Sequence, residues 1–560
     1  MTPAQRRIVV ALTGLIALTR LLAISRSMWD WDEALFTMGV REYDVPSHHP
    51  HPPGYPLFML AAKIAHVVVR DDFRAVQAVA VLASLALFPA LFFLARALRF
   101  SFPAAAGGAA ICAFFPNVWY YGGTALSDIP SLVLVVLASA LLLWRTGTLA
   151  CPRAGGQARV PVLHRIAGAL VLGIAIGVRP QNLLIGAVPA AIAMWRRREL
   201  VVPAAVVAGT VLIAYAGAAL ASSSWRDYLA VCAAQSRYIH DVDSYLNPAR
   251  PSLASLASAI FIHPMHAGRF DRILSALAAA GALLGIRDAG VRIAVAMFVP
   301  IQLFTWLMLD ASNVSRYSIA FLPLYAFLIA NVFRSWAVIP CVAYLIVWTM
   351  PALNEVRRTD SPVAAAMTSL QSAPVVYAQA GVAPFANLFL RRVVPIEREA
   401  ELPLTDAPFV REGATITPNA HVFRRDSRGH LSTFVRRHFF EVSVMRAKDA
   451  AVFGDGWYAE ESDGVMAWRW MAGRATMLLP PRARLTMHFR VPTGLTPTLT
   501  MQLNGRVLGQ WTCKAENTIM ITTSSEARNE LTLSIAPVAH VPNDPRALGL
   551  QLLSYDWRSE

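Results

Sequence analysis

Long apolar runs separated by short polar segments fill residues 1–353. A run of about 20 apolar residues is long enough to cross a bilayer as a helix. Hydrophobic residues make up 56% of the 560 residues and charged residues 15%, and the mean hydropathy is +0.46. The sequence therefore predicts a multi-span α-helical membrane protein with about 11 spans. The predicted spans are residues 8–25, 75–95, 102–120, 126–144, 166–178, 183–195, 200–220, 272–286, 293–309, 318–333 and 336–353.

The net charge of +15 raises the question of nucleic-acid binding, but the arginines lie at the ends of apolar runs. This is the positive-inside pattern of membrane proteins and not a basic groove. It predicts that residues 1–7, 96–101, 145–165 and 196–199 are cytoplasmic. The opposite, outer side then receives residues 26–74, 120–127, 221–271, 310–317 and everything after about residue 354. No small-residue cleavage site follows the first apolar run, which is expected to be a retained span.

The segment 55–69, "YPLFMLAAKIAHVVV", is apolar but short and carries Lys63 and His66. A span here would move Arg196–Arg198 to the outer side. The segment is therefore predicted to be a juxtamembrane or re-entrant helix on the outer face, with a true span as the alternative.

The composition changes after Arg357–Arg358. Helix-like and strand-like runs alternate over residues 354–445, which predicts a small α/β segment. Residues 446–560 alternate apolar and polar side chains with period two, and "LNGRVLG" predicts a hairpin turning at Asn504–Gly505. These short strands predict a β-sandwich. The predicted domains are thus a transmembrane domain (1–353), an α/β segment (354–445) and a β-sandwich (446–560), the last two extramembrane.

Polar residues gather in the predicted outer loops and at span ends, where ionisable side chains usually line a cavity and mark function. Acids and arginines from five separate segments therefore predict one site at the outer membrane surface. The candidates are Asp30, Asp32, Glu33, His51, Asp128, Arg179, Gln181, Tyr238, His240, Arg316 and Tyr317.

This mixture of groups suits one kind of chemistry. A carboxylate can take a proton from a hydroxyl, and arginines, or a metal held by carboxylate and histidine, can hold a phosphate. Apolar spans can hold a lipid tail. Together these features predict transfer of a sugar from a polyprenyl-phosphate donor to an acceptor hydroxyl. The acceptor attacks the anomeric carbon while the lipid phosphate leaves.

The chain resembles the GT-C membrane glycosyltransferases, including protein O-mannosyltransferases and lipid A aminoarabinose transferases. "WDEALF" is similar to their acidic motif after the first span, and "HPPGYPLF" to the His-Pro-Pro element of the first outer loop. "ALSDIP", "GVRPQ" and "SRYSIAFLP" are similar to later elements. The resemblance implies an outer cavity, an inverting single displacement and often a divalent cation. The chain departs from the family in its soluble half and at Gly54–Tyr55.

The predicted roles of the site residues follow from the chemistry of their side chains and from the family resemblance. Asp32 is the predicted general base, with a solvated helix-end acid as the alternative. Glu33 is predicted to act beside it, to position it or to bind metal, and Asp128 is either a third catalytic acid or a helix N-cap. Arg179 holds phosphate or extends to the interface. The predicted substrate-binding residues are His51, Arg179, Gln181, Tyr238, His240, Arg316 and Tyr317, and the metal ligands stay open.

The predicted location is the inner membrane, with a periplasmic C-terminal region and no nucleic-acid partner. The sugar and the acceptor (glycan, lipid or protein) stay open, as does transfer of a whole glycan. The alternative function is a non-catalytic transporter, a flippase or a scaffold that presents the β-domain. A transporter favours charges deep in mid-span or an inverted repeat. The charges lie at the loops instead, which favours the enzyme.

Overall fold

A computed structural model describes most of the chain, and backbone contacts divide it into two units. Unit 1 comprises Met1–Thr359 with Ser427–Arg436, and unit 2 comprises Asp360–Asp426 with Arg437–Glu560. The arginines at 145, 153 and 196–198 lie outside the described residues. The described residues are 1–144, 160–194, 201–248, 250–310, 313–333, 338–397, 401–403, 405–417, 420–425, 431, 434, 441–450, 452–462, 466–479, 481–523, 529–541, 544 and 546–559.

Unit 1 is helical, and several of its helices are strongly apolar. The helices are α1 (Pro3–Arg20), α2 (Trp31–Arg41), α3 (Pro56–Val69), α4 (Asp72–Ala97), α5 (Phe102–Phe114), α6 (Pro116–Tyr121), α7 (Asp128–Leu143), α8 (Val160–Val178), α9 (Asn182–Met194), α10 (Val201–Ala221), α11 (Trp225–Tyr238), α12 (Leu253–Ala257), α13 (Asp271–Leu284), α14 (Ala289–Met308), α15 (Val314–Tyr317), α16 (Leu322–Phe333) and α17 (Val338–Arg358).

Four helical stretches within the described residues are long and apolar enough to cross a membrane: Asp72–Ala97, Val201–Ala221, Ala289–Met308 and Val338–Ser369. The bent pair Val314–Ala320 and Leu322–Phe333 adds a fifth if it counts as one span. Other apolar helices, such as α5 and α7, are shorter. The count of about 11 spans therefore stays a prediction.

The predicted span 102–120 is divided into two helices. α5 ends at Phe114 and α6 begins at Pro116, with Phe115 in an extended conformation between them. Proline has no N–H to donate and disfavours helical geometry in the residue before it, so a continuous helix is broken here. Pro116 then suits the first position of α6. The break sets the direction of α6, which supports the site described below.

The segment 55–69 forms α3, bounded by Tyr55 and Arg70 in left-handed conformations, with φ of 46° and 57°. Fourteen residues span about 21 Å at 1.5 Å per residue, less than the hydrocarbon core of roughly 30 Å. One face of α3 is buried through Phe58, Met59 and Ala62. Its opposite face exposes apolar side chains. A juxtamembrane or re-entrant helix on the outer face stays the prediction for this segment, with a true span as the alternative.

Unit 2 is rich in strands and begins with a mixed sheet of order β2-β1-β3-β5-β4. Two helices, α18 (Pro362–Ser369) and α19 (Ala383–Phe389), accompany it. β1 pairs in parallel with β2 and β3, whereas β5 pairs antiparallel with β3 and β4. The strands are β1 (Val376–Gln379), β2 (Val393–Ile396), β3 (Pro408–Glu412), β4 (His421–Arg424) and β5 (Glu441–Arg446).

Two further sheets follow, of orders β13-β10-β17-β8-β7 and β12-β11-β14-β9-β6. Apolar side chains of both enter one buried cluster, which includes Met487, Tyr555, Met477 and Leu533. The β-sandwich itself stays a prediction. The strands are β6 (Val452–Phe453), β7 (Trp457–Ser462), β8 (Ala467–Met471), β9 (Arg474–Leu479), β10 (Ala483–Arg490), β11 (Thr498–Leu503), β12 (Arg506–Thr512), β13 (Glu516–Thr522), β14 (Asn529–Ala536), β15 (Ala539–His540), β16 (Ala547–Leu548) and β17 (Gln551–Ser559).

The hairpin predicted from "LNGRVLG" is confirmed. β11 and β12 are antiparallel neighbours, and Leu503 lies opposite Arg506. The two residues between them, Asn504 and Gly505, have φ of 49° and 79°. A two-residue turn of this kind needs positive φ at both positions, which asparagine and glycine tolerate best.

Candidate active site

The start of α2 holds three acids in different environments. Asp30 is the N-cap, and its Oδ1 accepts a hydrogen bond from the Asp32 N–H at 2.9 Å. Glu33 is fully buried and accepts backbone N–H groups from Trp29, Asp30 and Ala125 at 2.5, 3.0 and 2.8 Å. The Asp30–Glu33 pair is a capping box, which explains why the helix begins here. Asp32 is the most exposed of these acids, with 18% of its side chain accessible.

Glu33 ties α2 to the segment before α7, because one oxygen binds the Ala125 N–H while the other binds the start of its own helix. Burial raises the pKa of Glu33 to about 7, although its three N–H donors favour the ionised form. Both oxygens are thus engaged by backbone donors.

Arg316 lies on the four-residue helix α15 and is the centre of the charge network. Its guanidinium is 1% exposed. Nη1 donates to Asp32 Oδ2 and lies 3.6 Å from Asp30 Oδ1, while Nε donates to Asp128 Oδ2 at 2.9 Å. A buried guanidinium is costly unless it is paired, and these acids supply the pairing. Asp32 and Arg316, both predicted site residues, are therefore in contact although 284 positions separate them in the sequence.

Asp128 bridges the two arginines. Its Oδ1 lies 2.7 Å from Arg179 Nη1, and its Oδ2 accepts from Arg316. Arg179 also donates from Nε to Ser127 Oγ at 2.9 Å. The N-cap of α7 is Ser127, so the alternative interpretation of Asp128 as the N-cap is wrong. Asp128 instead occupies the first turn of α7, where the helix dipole favours a carboxylate.

His51 lies between Asp32 and Tyr55. Its Nδ1 is 3.7 Å from Asp32 Oδ1, and its Nε2 is 2.9 Å from the Tyr55 hydroxyl. If Tyr55 donates its O–H to Nε2, the ring proton is on Nδ1 and faces Asp32. Burial lowers the pKa of His51 and thereby favours the neutral ring. The nearby Asp32 carboxylate acts in the opposite direction but has the smaller effect. Sequence reasoning did not select Tyr55, although "HPPGYP" places it only four residues after His51.

A narrow cleft lies beside the arginines, with a cavity volume of about 20 Å³, close to the space that one water molecule needs. Its polar lining contains Asp128, Arg179, Gln181, Arg316 and Tyr317. Its apolar lining comes from α7, α9 and α14 and from the segment after α15, and includes Leu132, Ile185, Ile301, Leu309 and Ile319. Two guanidinium groups in this lining can bind an anionic head group, and the apolar side chains of the same lining can contact an attached apolar chain.

Two predicted substrate-binding residues lie elsewhere. Tyr238 is 52% exposed, and the His240 side chain is 61% exposed and pairs with its neighbour Asp241 at 2.7 Å. Neither lines the cleft. They occupy the end of α11 and the π-helical turn after it, Ile239–Asp243, where polar side chains remain solvated. Their proposed role in binding stays a prediction.

The residues of this site do not fit a divalent cation. Within the described part of the chain, no group of three or more His, Cys, Asp and Glu side chains is arranged to hold a metal ion. The carboxylates of Asp32 and Asp128 face Arg316 and Arg179 and are already paired with them. A cation at the same oxygens would be repelled by both guanidinium groups.

No protein-family model and no curated protein matches the chain. Solved structures match the chain at low sequence identity, and three of them are described here. ArnT from Cupriavidus metallidurans bound to undecaprenyl phosphate shares 13% identity, with 79% of this chain and 98% of that chain covered and a TM-score of 0.49. The arabinofuranosyltransferase AftD from Mycobacteria shares 10%, with 100% and 62% covered and a TM-score of 0.44.

A third match is the oligosaccharyltransferase AglB from Archaeoglobus fulgidus, in complex with an inhibitory peptide and a dolichol-phosphate. It shares 9% identity, with 100% of this chain and 97% of that chain covered and a TM-score of 0.44. Each of these matches has a TM-score below 0.5 and carries no argument here. The chemistry is therefore inferred from the chain's own residues.

Proposed function

We propose that the chain is an integral-membrane glycosyltransferase that moves a sugar from a polyprenyl-phosphate donor to an acceptor hydroxyl. The observation that carries this proposal is the position of Asp32. It is the most exposed acid of the cluster, and it contacts Arg316, which lines a largely apolar cleft together with Arg179. A base, a phosphate-binding pair and a lipid-binding surface are thus adjacent.

The donor phosphate lies at Arg179 and Arg316 in this proposal, and its polyprenyl chain follows the apolar lining of the cleft. A phosphodiester carries one negative charge and gains a second as its bond to the sugar breaks. Preorganised guanidinium groups stabilise such developing charge more than they stabilise the ground state. Gln181 and Tyr317 line the same cleft and complete the donor-binding surface.

Asp32 is the general base. The acceptor oxygen attacks the anomeric carbon, its proton passes to Asp32, and the electron pair of the broken bond stays on the lipid phosphate. One displacement inverts the configuration at the anomeric carbon. His51 Nδ1 lies 3.7 Å from Asp32 Oδ1, beyond hydrogen-bond distance but within range of an ion pair when the ring is protonated. No step requires a metal.

Asp128 and Glu33 are positioning residues in this scheme, because their oxygens are already engaged. Asp128 uses both oxygens to hold the two arginines. Glu33 uses both oxygens to fix the start of α2 against the segment at Ala125. Neither has the exposure of Asp32, which an acceptor can approach.

The site is proposed to face the outer side of the inner membrane, with unit 2 periplasmic, because the arginine pattern assigns the first loop to that side. The function is tested by mass spectrometry of cell-envelope glycans from a deletion strain, the same strain carrying the gene and the same strain carrying the Asp32→Asn variant. We expect one sugar modification to disappear in the deletion and to return only with the wild-type gene. Identical glycans in all three strains would contradict the proposal.

A further inference from the structure

Arg316 depends on a helix that cannot hold itself in place. α15 has only four residues, which is one turn, and a three-residue 3₁₀ turn, Ser318–Ala320, follows it directly. A single turn has almost no internal hydrogen bonds and is unstable without outside support. Yet the guanidinium of Arg316 is aimed at Asp32 and Asp128 from this turn. Other side chains must therefore fix its position.

The support comes from α6. Asn117 Nδ2 lies 2.8 Å from the Ser315 carbonyl oxygen and 2.8 Å from Ser318 Oγ. Tyr121, four residues later on the same helix face, has its hydroxyl 3.3 Å from Ser315 Oγ. These four residues are called the α6 brace here. They are buried, so each lost hydrogen bond would leave an unsatisfied polar group.

The brace continues to a residue from much later in the chain. The Tyr121 hydroxyl donates to the Phe434 carbonyl oxygen at 2.7 Å. Tyr121 has one hydroxyl proton, so the Ser315 hydroxyl is the donor in its contact with Tyr121. The three groups thus form a directed chain from Ser315 through Tyr121 to Phe434, in which each bond strengthens the next.

The Phe434 side chain anchors that carbonyl. Its ring stacks on Tyr120 with centroids 4.7 Å apart and planes 14° apart, and the residue is 4% exposed. The Phe434 N–H donates to the carbonyl of Leu431, which is also buried. Burial of the Phe434 ring contributes far more stabilisation than the single hydrogen bond that the Phe434 carbonyl accepts from Tyr121. The stacked ring therefore determines where the carbonyl oxygen lies.

We propose that Phe434 is a positioning residue for the transfer reaction. By fixing the Tyr121 hydroxyl it holds α15, and thereby keeps Arg316 aimed at Asp32 and at the donor phosphate. This inference rests on the proposed function, because Arg316 matters to the reaction only if the cleft holds the donor. If Phe434 has this role, the activity of the helical site depends on a residue that lies between β4 and β5 in the sequence.

The test uses full-length protein in lipid nanodiscs with four variants: Tyr121→Phe, Phe434→Leu, Phe434→Ala and the double variant Tyr121→Phe/Phe434→Ala. Trp511→Ala, at an exposed aromatic residue of β12, is the matched control. We expect Tyr121→Phe and Phe434→Ala each to lower kcat by about 10²-fold, the usual effect of an ångström-scale misplacement. Phe434→Leu keeps an apolar anchor and should stay within about tenfold of wild type. The double variant should lose no more than the larger single loss, because both changes break one chain.

A pH profile separates positioning from a general loss of structure. A loosened Arg316 binds the ionised form of Asp32 less strongly, so the acidic limb of kcat/KM should move to higher pH in Tyr121→Phe and Phe434→Ala. Trp511→Ala should keep the wild-type profile. Wild-type kcat and pH profile in both Tyr121→Phe and Phe434→Ala would overturn the inference. If Phe434→Ala does not fold, Tyr121→Phe decides, because it removes the hydrogen bond to the Phe434 carbonyl while the Phe434 ring is kept.

Binding of polyprenyl phosphate, followed by thermal shift, makes the outcome independent of turnover. Tyr121→Phe and Phe434→Ala should bind this lipid about tenfold or more weakly than wild type, because Arg316 no longer meets the phosphate. If wild type transfers no sugar, the proposed function fails while the binding comparison still tests the brace. If wild type transfers sugar and the variants match it in both assays, only the role of Phe434 fails.

Discussion

Replacement of Asp32 by asparagine separates a chemical role of this acid from a structural one. Asparagine keeps the size of aspartate but cannot take a proton at neutral pH. General-base catalysis contributes about 10²–10⁴-fold in rate, or about 2.7–5.4 kcal/mol in the activation free energy. We therefore expect Asp32→Asn to lower kcat by that factor, with little change in the KM for the donor.

The structural cost of Asp32→Asn is smaller and can be bounded from the contacts. Arg316 keeps Asp128 at 2.9 Å and Asp30 at 3.6 Å when it loses the Asp32 carboxylate. Loss of one charged hydrogen bond costs about 1–3 kcal/mol in the free energy of unfolding. A protein with about 5–15 kcal/mol of stability stays mostly folded after such a loss. Unfolding therefore cannot account for a rate loss of 10² or more.

Two matched acid-to-amide variants complete the comparison. Glu33→Gln places an NH₂ group against a backbone N–H, because both Glu33 oxygens accept such donors, so this variant should lose stability as well as activity. Asp241→Asn changes an acid that is 67% exposed and should leave both unchanged. The assay measures lipid phosphate released from a polyprenyl-phosphate sugar, alongside a thermal melt. Turnover of Asp32→Asn within threefold of wild type would refute its role as the base, and Asp128 would be examined next.

Three further results are expected. Arg316→Ala and Arg179→Ala should each weaken binding of polyprenyl phosphate by about tenfold or more, measured by thermal shift, because a phosphate loses a charged partner; unchanged affinity in both would remove the phosphate from the cleft. Glu33 has a folded-state pKa of about 7 against an ordinary value of 4.5, so its contribution to stability is full below pH 4.5 and is lost as the pH rises through 7; the fall in melting temperature over this interval should be smaller in Glu33→Gln. Tyr55→Phe removes the hydroxyl that meets His51 Nε2 and should lower kcat by about tenfold at neutral pH while the donor KM is kept; a wild-type kcat would exclude any role of that contact.

Much of the site could be predicted from the sequence. The acids at the start of α2, Asp128, Arg179 and Arg316 were selected because charged groups at the ends of apolar runs need a reason to be there. The structure joins Asp30, Asp32, Asp128, Arg179 and Arg316 in one network of ion pairs, whereas Glu33 binds backbone N–H groups beside it. The hairpin at Asn504–Gly505 was predictable for a local reason, since few residues tolerate two consecutive positive φ angles.

The remaining features depend on distant parts of the chain. Asn117 and Phe434 look like ordinary residues of an apolar run and a loop, and only the fold brings Phe434 to Tyr121. Tyr238 and His240 lie outside the lining of the cleft, and their role in binding stays a prediction. Periodicity determines faces of helices and strands, whereas such pairings depend on how helices pack.

The central claim is that this chain consumes a polyprenyl-phosphate sugar through Asp32. The most direct measurement incubates purified protein in nanodiscs with the lipid-linked sugars and acceptor fraction extracted from the host envelope, and follows both pools by mass spectrometry. We expect wild type to deplete one lipid-linked sugar, release its lipid phosphate and form a glycoside of inverted anomeric configuration, while Asp32→Asn does so at least 10²-fold more slowly. No depletion by wild type, equal depletion by the variant, or retention of configuration would contradict the account.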